Sequence, residues 1–266
     1  MAGRLTVTSI GKMKAQGSKV VMATCYDYPS ALLLDAAGID MLLVGDSLGQ
    51  AVLGYETTVP VTMDMMVHHA RAVRRGSAHA MVVADMPFMS YQASAEDALR
   101  NAGRLMQEAE VEAVKVEGGL QMAPTVARLV TAGVPVVGHI GLTPQSVHSL
   151  GGYRTQGKEG SQAARLLADA RALADAGAFA IVLELISRPV AAQITQESSV
   201  PTIGIGSGPE CDGQVQVLHD LLGLYPDRRY RHAKRYCEVG QAIADAVRSY
   251  ADEVRSGDFP GAEHSN

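Results

Sequence analysis

The chain has 266 residues, 47% hydrophobic and 19% charged, enough for one large buried core. Its 23 basic and 28 acidic residues leave a net charge of −5 with no basic block to follow a phosphate backbone, which argues against nucleic acid as a partner. No apolar stretch nears the ~20 residues that span a bilayer, and the N-terminus lacks a signal-peptide core, so a cytoplasmic protein without membrane partners is expected. Cys25, Cys211 and Cys237 are odd in number and widely spaced, fitting neither a disulfide framework nor a structural zinc site.

In chain order, Val7 to Gln16 reads as a helix closing the bottom of the fold. Short apolar runs bounded by Gly, Pro or Asp then follow: Lys19 to Cys25, Met41 to Asp46, Met81 to Met86, Ala113 to Glu117, Val134 to His139, Phe179 to Leu185 and Thr202 to Gly206, with a weaker eighth at Val215 to Leu222. They are continuously apolar rather than alternating, as expected of parallel strands buried on both faces. Amphipathic helical stretches lie between them. One runs through Ala98, Leu99, Ala102, Leu105, Met106 and Ala109 behind a Ser94/Asp97 cap, and another through Leu166, Leu167, Ala170, Leu173 and Ala174, ending at Gly177. Repeated β-then-α units without a linker predict an α/β fold, a single (β/α)₈ TIM barrel over residues 1–266. Lys234 to Ser256 reads as a C-terminal helix, and the tail beyond Pro260 as loosely held.

A parallel barrel opens all its strand C-termini on one face, so polar residues ending apolar strands are delivered to one place. Asp46, Asp85, Glu117 and Glu184 meet that condition. An acid after a strand also serves as a turn residue or helix N-cap, but four converging acids repel one another unless a cation neutralises them. Oxygen ligands without converging Cys or His point to Mg²⁺ first and Mn²⁺ second. Such an ion chelates a 2-oxo acid and stabilises the charge that forms when the neighbouring carbon loses a proton. Lys115, on the same side of its strand as Glu117, can hold the substrate carboxylate or the enolate oxygen. Glu184 stands among Ile181, Val182, Leu183, Leu185 and Ile186; the expected desolvation raises its pKa, as a general base for a carbon acid requires. His139 ends the fifth strand, where it can bond substrate or a ligand carboxylate, or serve structure alone. His68 and His69 read as surface or packing residues. Gly204 to Gly208 lacks the full dinucleotide spacing, and Gly151, Gly152, Gly157 and Gly160 mark a polar loop that is either a lid or plain connection.

The spans YDYPSA, VGDSLGQAVLGYETTVPVT, ADMPFMSY, VKVEGG, GHIGLTPQS, GGYRTQGK and GIGSG with CDGQ occur in this order, and over residues 9–265 the chain resembles the ketopantoate hydroxymethyltransferase family. The resemblance implies a barrel of the phosphoenolpyruvate/pyruvate type in a large homo-oligomer, often a decamer. It implies transfer of a hydroxymethyl group from 5,10-methylenetetrahydrofolate to 3-methyl-2-oxobutanoate, giving 2-dehydropantoate for pantothenate and coenzyme A synthesis. By motif, Asp46, Asp85 and Glu117 correspond to the metal site, Asp46, Ser47, Asp85 and Lys115 to the oxo-acid contacts, and Glu184 to the proton acceptor. Pro209-Glu210-Cys211 and Tyr230-Arg231-His232 depart from the family pattern. Three rivals stand beside this reading. The first is a C–C lyase or mutase of the same barrel superfamily. The second is a serine hydrolase using Gly45-Asp46-Ser47-Leu48, although no histidine here has an aspartate three residues before it. The third is a non-catalytic oxo-acid sensor.

Overall fold

A computed structural model describes residues 3–225, 227 and 229–265. The chain divides into two compact units, Met1–Gln216 and Val217–Asn266.

The first unit contains eight parallel strands: β1 (Val20–Thr24), β2 (Met41–Val44), β3 (Met81–Asp85), β4 (Ala113–Glu117), β5 (Val136–Gly141), β6 (Ala180–Glu184), β7 (Thr202–Ile205) and β8 (Gly213–Gln216). Each pairs with the next and β8 pairs with β1, closing a barrel. Around and before them lie α1 (Val7–Ala15), α2 (Tyr28–Ala36), α3 (Leu48–Ala51), α4 (Met63–Gly76), α5 (Ala95–Glu108), α6 (Ala123–Thr131), α7 (Val147–Leu150), α8 (Gly160–Asp175) and α9 (Arg188–Glu197). The starts of several helices are written locally. Asp27, Thr62 and Ser94 each accept a hydrogen bond from the backbone amide three residues on, satisfying an otherwise orphaned donor. Gly177 follows α8 at φ 95°, a conformation that favours glycine.

Alternate strand residues face inward and fill the barrel. Val20, Met22, Met41, Leu43, Met81, Val83, Ala113, Val137, Ala180, Val182, Ile203 and Val215 form this core, and Ile10 of α1 joins it. At full burial each Val, Leu, Ile or Met among them contributes roughly 1.5–3 kcal/mol of hydrophobic stabilisation.

The eighth apolar run does not form one element. The strand is Gly213–Gln216, whereas Leu218–Leu221 is a helical turn in the second unit. The start of β8 is fixed by closure on β1, where Gly213 stands opposite Val20 and a Cβ would lie 2.4 Å from the Val20 carbonyl oxygen. That constraint is non-local, and the apolar run carries no sign of it.

In the second unit, α10 (Leu218–Leu221) precedes α11 (Val239–Ser256), which starts five residues later than the sequence predicts. Arg235 is tied to the Tyr225 carbonyl at 2.9 Å and to Glu238 at 2.8 Å, and these bonds compete with helix extension. The tail also differs from expectation. Phe259 packs edge-on against Tyr250 at 5.5 Å and meets His264 at 5.3 Å, so the segment past Pro260 is anchored on α11.

Candidate active site

The inward register of the core, continued to the strand ends, produces the site. After Met81 and Val83 the next inward residue is Asp85; after Ala113 come Lys115 and Glu117; after Val137 comes His139; after Ala180 and Val182 comes Glu184. Pairing sets Asp85 beside Lys115 and Glu117 beside His139. The lower layers of the barrel are therefore apolar and the uppermost layer is ionisable.

Asp46 arrives differently, since β2 ends at Val44 and Asp46 lies in the turn leading to α3. Its backbone amide donates to Asp85 Oδ2 at 3.0 Å. Gly45 permits this approach, because a Cβ there would lie 2.7 Å from Ser47 Oγ and 3.4 Å from Asp85 Oδ2. Ser47 Oγ pairs with Tyr26 Oη at 2.9 Å, and the Tyr26 carbonyl meets His69 Nδ1 at 2.7 Å. Ser47 thus has a phenol rather than an imidazole as its hydrogen-bond partner, which removes the basis for the serine-hydrolase reading.

The charged groups form a chain. Lys115 Nζ lies 3.0 Å from Asp85 Oδ1 and 3.0 Å from His139 Nδ1. His139 Nδ1 is 3.5 Å from Glu117 Oε1, and its Nε2 is 3.2 Å from Glu184 Oε2 at ion-pair distance without hydrogen-bond alignment. Asp46, Asp85, Lys115, Glu117 and His139 are all buried, while the Glu184 side chain is 16% exposed.

The environment of Glu184 differs from the one its sequence neighbours imply. Ile181 and Leu183 alternate to the outer face of the barrel, so they do not enclose the carboxylate; His139 meets it instead. Leu185 follows at φ 47°, a strained conformation for a residue with a Cβ. Two contacts hold this bend. Ser207 Oγ, from the glycine-rich segment after β7, donates to the Leu183 carbonyl at 2.7 Å and accepts from Ile186 N at 3.0 Å. Gln156 N, from the polar loop before α8, donates to the Leu185 carbonyl at 2.7 Å.

Burial, then the charges of Asp85 and Glu117, push the Asp46 carboxyl well above the ordinary carboxylate range. Burial also raises Asp85, against the opposing pull of Lys115. Burial disfavours the Lys115 ammonium, but Asp85, Glu117 and Asp46 outweigh it and hold the charge on. For His139, burial and Lys115 oppose protonation while Glu117 and Glu184 favour it, and the balance lies upward at about 9.

Asp85 Oδ1 and Glu117 Oε1 are buried without a hydrogen bond. With Asp46, whose charge burial and its acidic neighbours suppress, they have the chemistry of a hard, oxygen-ligated cation site. Among the described residues, no three His, Cys, Asp or Glu side chains as they stand are grouped to hold an ion, and the Lys115 ammonium balances Asp85.

Sequence reasoning missed two residues of this mouth. Tyr91 and Gln145, both buried, connect Glu117 and Asp46 from the loops after β3 and β5. Their only signal was membership of the ADMPFMSY and GHIGLTPQS spans.

A closed parallel barrel whose strand C-termini converge on three acids, a lysine, a histidine and a partly open glutamate belongs to the (β/α)₈ class, with an ionisable mouth of the kind that enzymes of this architecture carry. Among solved structures it is similar to phosphonopyruvate hydrolase in complex with oxalate and Mg²⁺ (TM-score 0.64, 12% identity, 98% of this chain and 93% of that one). It is also similar to 2,3-dimethylmalate lyase of the PEP mutase/isocitrate lyase superfamily (TM-score 0.60, 18% identity, 100% and 93%), likenesses that concern the fold.

The chain belongs to the ketopantoate hydroxymethyltransferase family, whose model matches residues 4–262. It is 59% identical over 262 residues to 3-methyl-2-oxobutanoate hydroxymethyltransferase of Carboxydothermus hydrogenoformans, covering 98% of this chain and 95% of the relative. The same-named enzyme of Moorella thermoacetica is 54% identical, with 98% and 97% covered.

Proposed function

We propose that the chain transfers a hydroxymethyl group from 5,10-methylenetetrahydrofolate to 3-methyl-2-oxobutanoate, forming 2-dehydropantoate on the route to pantothenate and coenzyme A. The observation that carries this reading is the meeting of Asp46, Asp85, Lys115, Glu117, His139 and Glu184 at one mouth, in a chain matched to the family from residue 4 to 262.

In this reading Asp46, Asp85 and Glu117 hold Mg²⁺, with Mn²⁺ as substitute; the ion supplies a positive centre that makes the substrate's C3–H bond more acidic. Asp46, Ser47, Asp85 and Lys115 contact the oxo acid, and the Lys115 ammonium, kept charged by the surrounding acids, faces its negative oxygens. Glu184 takes the C3 proton. Its 16% exposure leaves a path by which that proton is released again, and the His139 ring at 3.2 Å holds the carboxylate toward the mouth. The electron pair of the broken C–H bond forms the new C–C bond to the one-carbon unit, whose bonds to the two folate nitrogens break; water supplies the hydroxyl, and its other proton and the one from C3 leave on those nitrogens with tetrahydrofolate.

The lyase and mutase reading shares the fold and an enolate-forming site, but the family match favours hydroxymethyl transfer. The whole chain, 1–266, is taken as one functional domain. A homo-oligomer, a decamer in the reading from resemblance, is supported by the exposed apolar stripe Ile243, Val247, Tyr250 and Val254 along α11. Among the described residues no helix is long and apolar enough to cross a membrane, in keeping with a cytoplasmic site of action.

The direct test incubates the purified protein with 3-methyl-2-oxobutanoate, methylenetetrahydrofolate and Mg²⁺ and follows 2-dehydropantoate by mass. No product above the enzyme-free control would refute the proposal.

A further inference from the structure

Gln145 sits in the 3₁₀ turn Pro144–Ser146 just after β5, and its side chain is buried. A carboxamide offers two N–H donors and an oxygen with two lone pairs, and here all four are used. Nε2 donates to Asp46 Oδ2 at 2.9 Å and to the Met86 carbonyl at 2.9 Å. Oε1 accepts from Tyr91 Oη at 2.8 Å and from Gln92 Nε2 at 2.9 Å. Turning the amide over would set its oxygen against a carboxylate and a carbonyl, so its partners fix its orientation.

The same residue reaches the other side of the mouth through its main chain, where its amide donates to Glu117 Oε2 at 3.0 Å. Tyr91 completes the circuit. Its hydroxyl accepts from Glu117 N at 2.9 Å and has one proton to give, which the shorter distance assigns to Gln145 Oε1 rather than to the Glu117 carbonyl at 3.2 Å. One oxygen of Asp46 and one of Glu117 are thereby tied to a single residue, while Glu117 Oε1 is left without a hydrogen bond and Asp85 Oδ1 meets the Lys115 ammonium.

We propose that Gln145, braced by Tyr91, is the positioning residue that fixes the Asp46 and Glu117 carboxylates for a shared divalent cation. Resting on the function proposed above, this adds a neutral amide to the site's working parts. Neutrality matters because a further acid at 2.9 Å from Asp46 would add repulsion to an already crowded mouth.

The test compares wild type, Gln145→Leu and Tyr91→Phe in Mn²⁺ affinity by electron paramagnetic resonance of the free ion, KM for each substrate, kcat and thermal midpoint. Loss of a partner that orients metal ligands typically weakens metal binding about 10–100-fold. Gln145→Leu is expected to fold, to bind Mn²⁺ at least about tenfold more weakly and to raise the oxo-acid KM, with the methylenetetrahydrofolate KM within about twofold of wild type. Tyr91→Phe is expected to show the same pattern, smaller. Mn²⁺ affinity within twofold of wild type in both variants would overturn the inference while an active wild type leaves the proposed function standing. If neither variant folded, the pair would be shown to hold the fold rather than orient ligands, which also overturns it. A wild type that neither binds Mn²⁺ nor forms product would instead sink the proposed function.

Discussion

Replacing Lys115 by methionine keeps most of the side-chain volume and removes the buried cation among the acids. Lys115 Nζ and Asp85 Oδ1 are 3.0 Å apart with both side chains 4% exposed. At an effective dielectric of about 20, two unit charges at that separation attract by roughly 5.5 kcal/mol. The variant does not lose that full amount, because the ammonium's burial cost disappears with it; breaking one side of a buried pair costs about 3–5 kcal/mol. His139 moves the expectation to the lower end. That ring, raised to about 9, is already protonated at neutral pH and keeps one positive charge among the acids when Lys115 is removed. A loss of about 3 kcal/mol corresponds to a midpoint roughly 6–12 °C lower for a chain of this size. Urea unfolding and thermal melts of both proteins, with and without Mg²⁺, give the measurement. The variant should melt lower in chelator and recover in part with Mg²⁺, since a divalent ion takes over neutralisation of the acids. A midpoint within about 2 °C of wild type in chelator would refute the claim that the ammonium holds this mouth together.

Glu184→Gln should abolish exchange of the substrate C3 proton into deuterated water, with turnover falling about 10²–10⁴-fold while Mn²⁺ and the oxo acid still bind; undiminished exchange would remove Glu184 as base. Asp35 of α2 accepts from Ser77 Oγ, Ala80 N and His79 N and meets His79 Nδ1 at 3.0 Å; although burial opposes its charge, the Ala80 and His79 bonds outweigh it and depress its pKa. Asp35→Asn should therefore cost about 1.5–3 kcal/mol at neutral pH. A carboxyl depressed in the folded state stabilises above its unfolded value of about 3.9, so the gap between the two proteins in urea unfolding should shrink below that pH and stay constant above it. Gly119→Ala would place a Cβ 2.0 Å from Asp169 Cγ, the buried side chain whose Oδ1 accepts from Leu120 N at 2.8 Å. The expected loss is about 1–3 kcal/mol with weaker Mn²⁺ binding through Glu117, and a variant unchanged in both would show that the loop shifts freely.

Most of the mouth is legible in the primary structure because two local rules suffice. Alternation along each strand carries the inward set Met81–Val83 on to Asp85 and Ala113 on to Lys115 and Glu117, and parallel closure brings every such end to the same rim. The polarity of strand ends and the helix cap at Ser94 belong to the same category, since each depends on residues within a turn or two of one another. What only tertiary structure decided are the contacts made across long stretches of chain. Gln145 meets Asp46 across 99 residues and Tyr91 across 54, and no periodicity marks a side chain for a hydrogen bond at that separation. The strand β8 is a further case, because closure on Val20 set where it starts, and the environment of Glu184 another, because Ile181 and Leu183 face outward and pairing of β6 with β5 brought a histidine from the adjacent strand. Local chemistry determines which face a residue takes; packing of distant segments determines what it meets there.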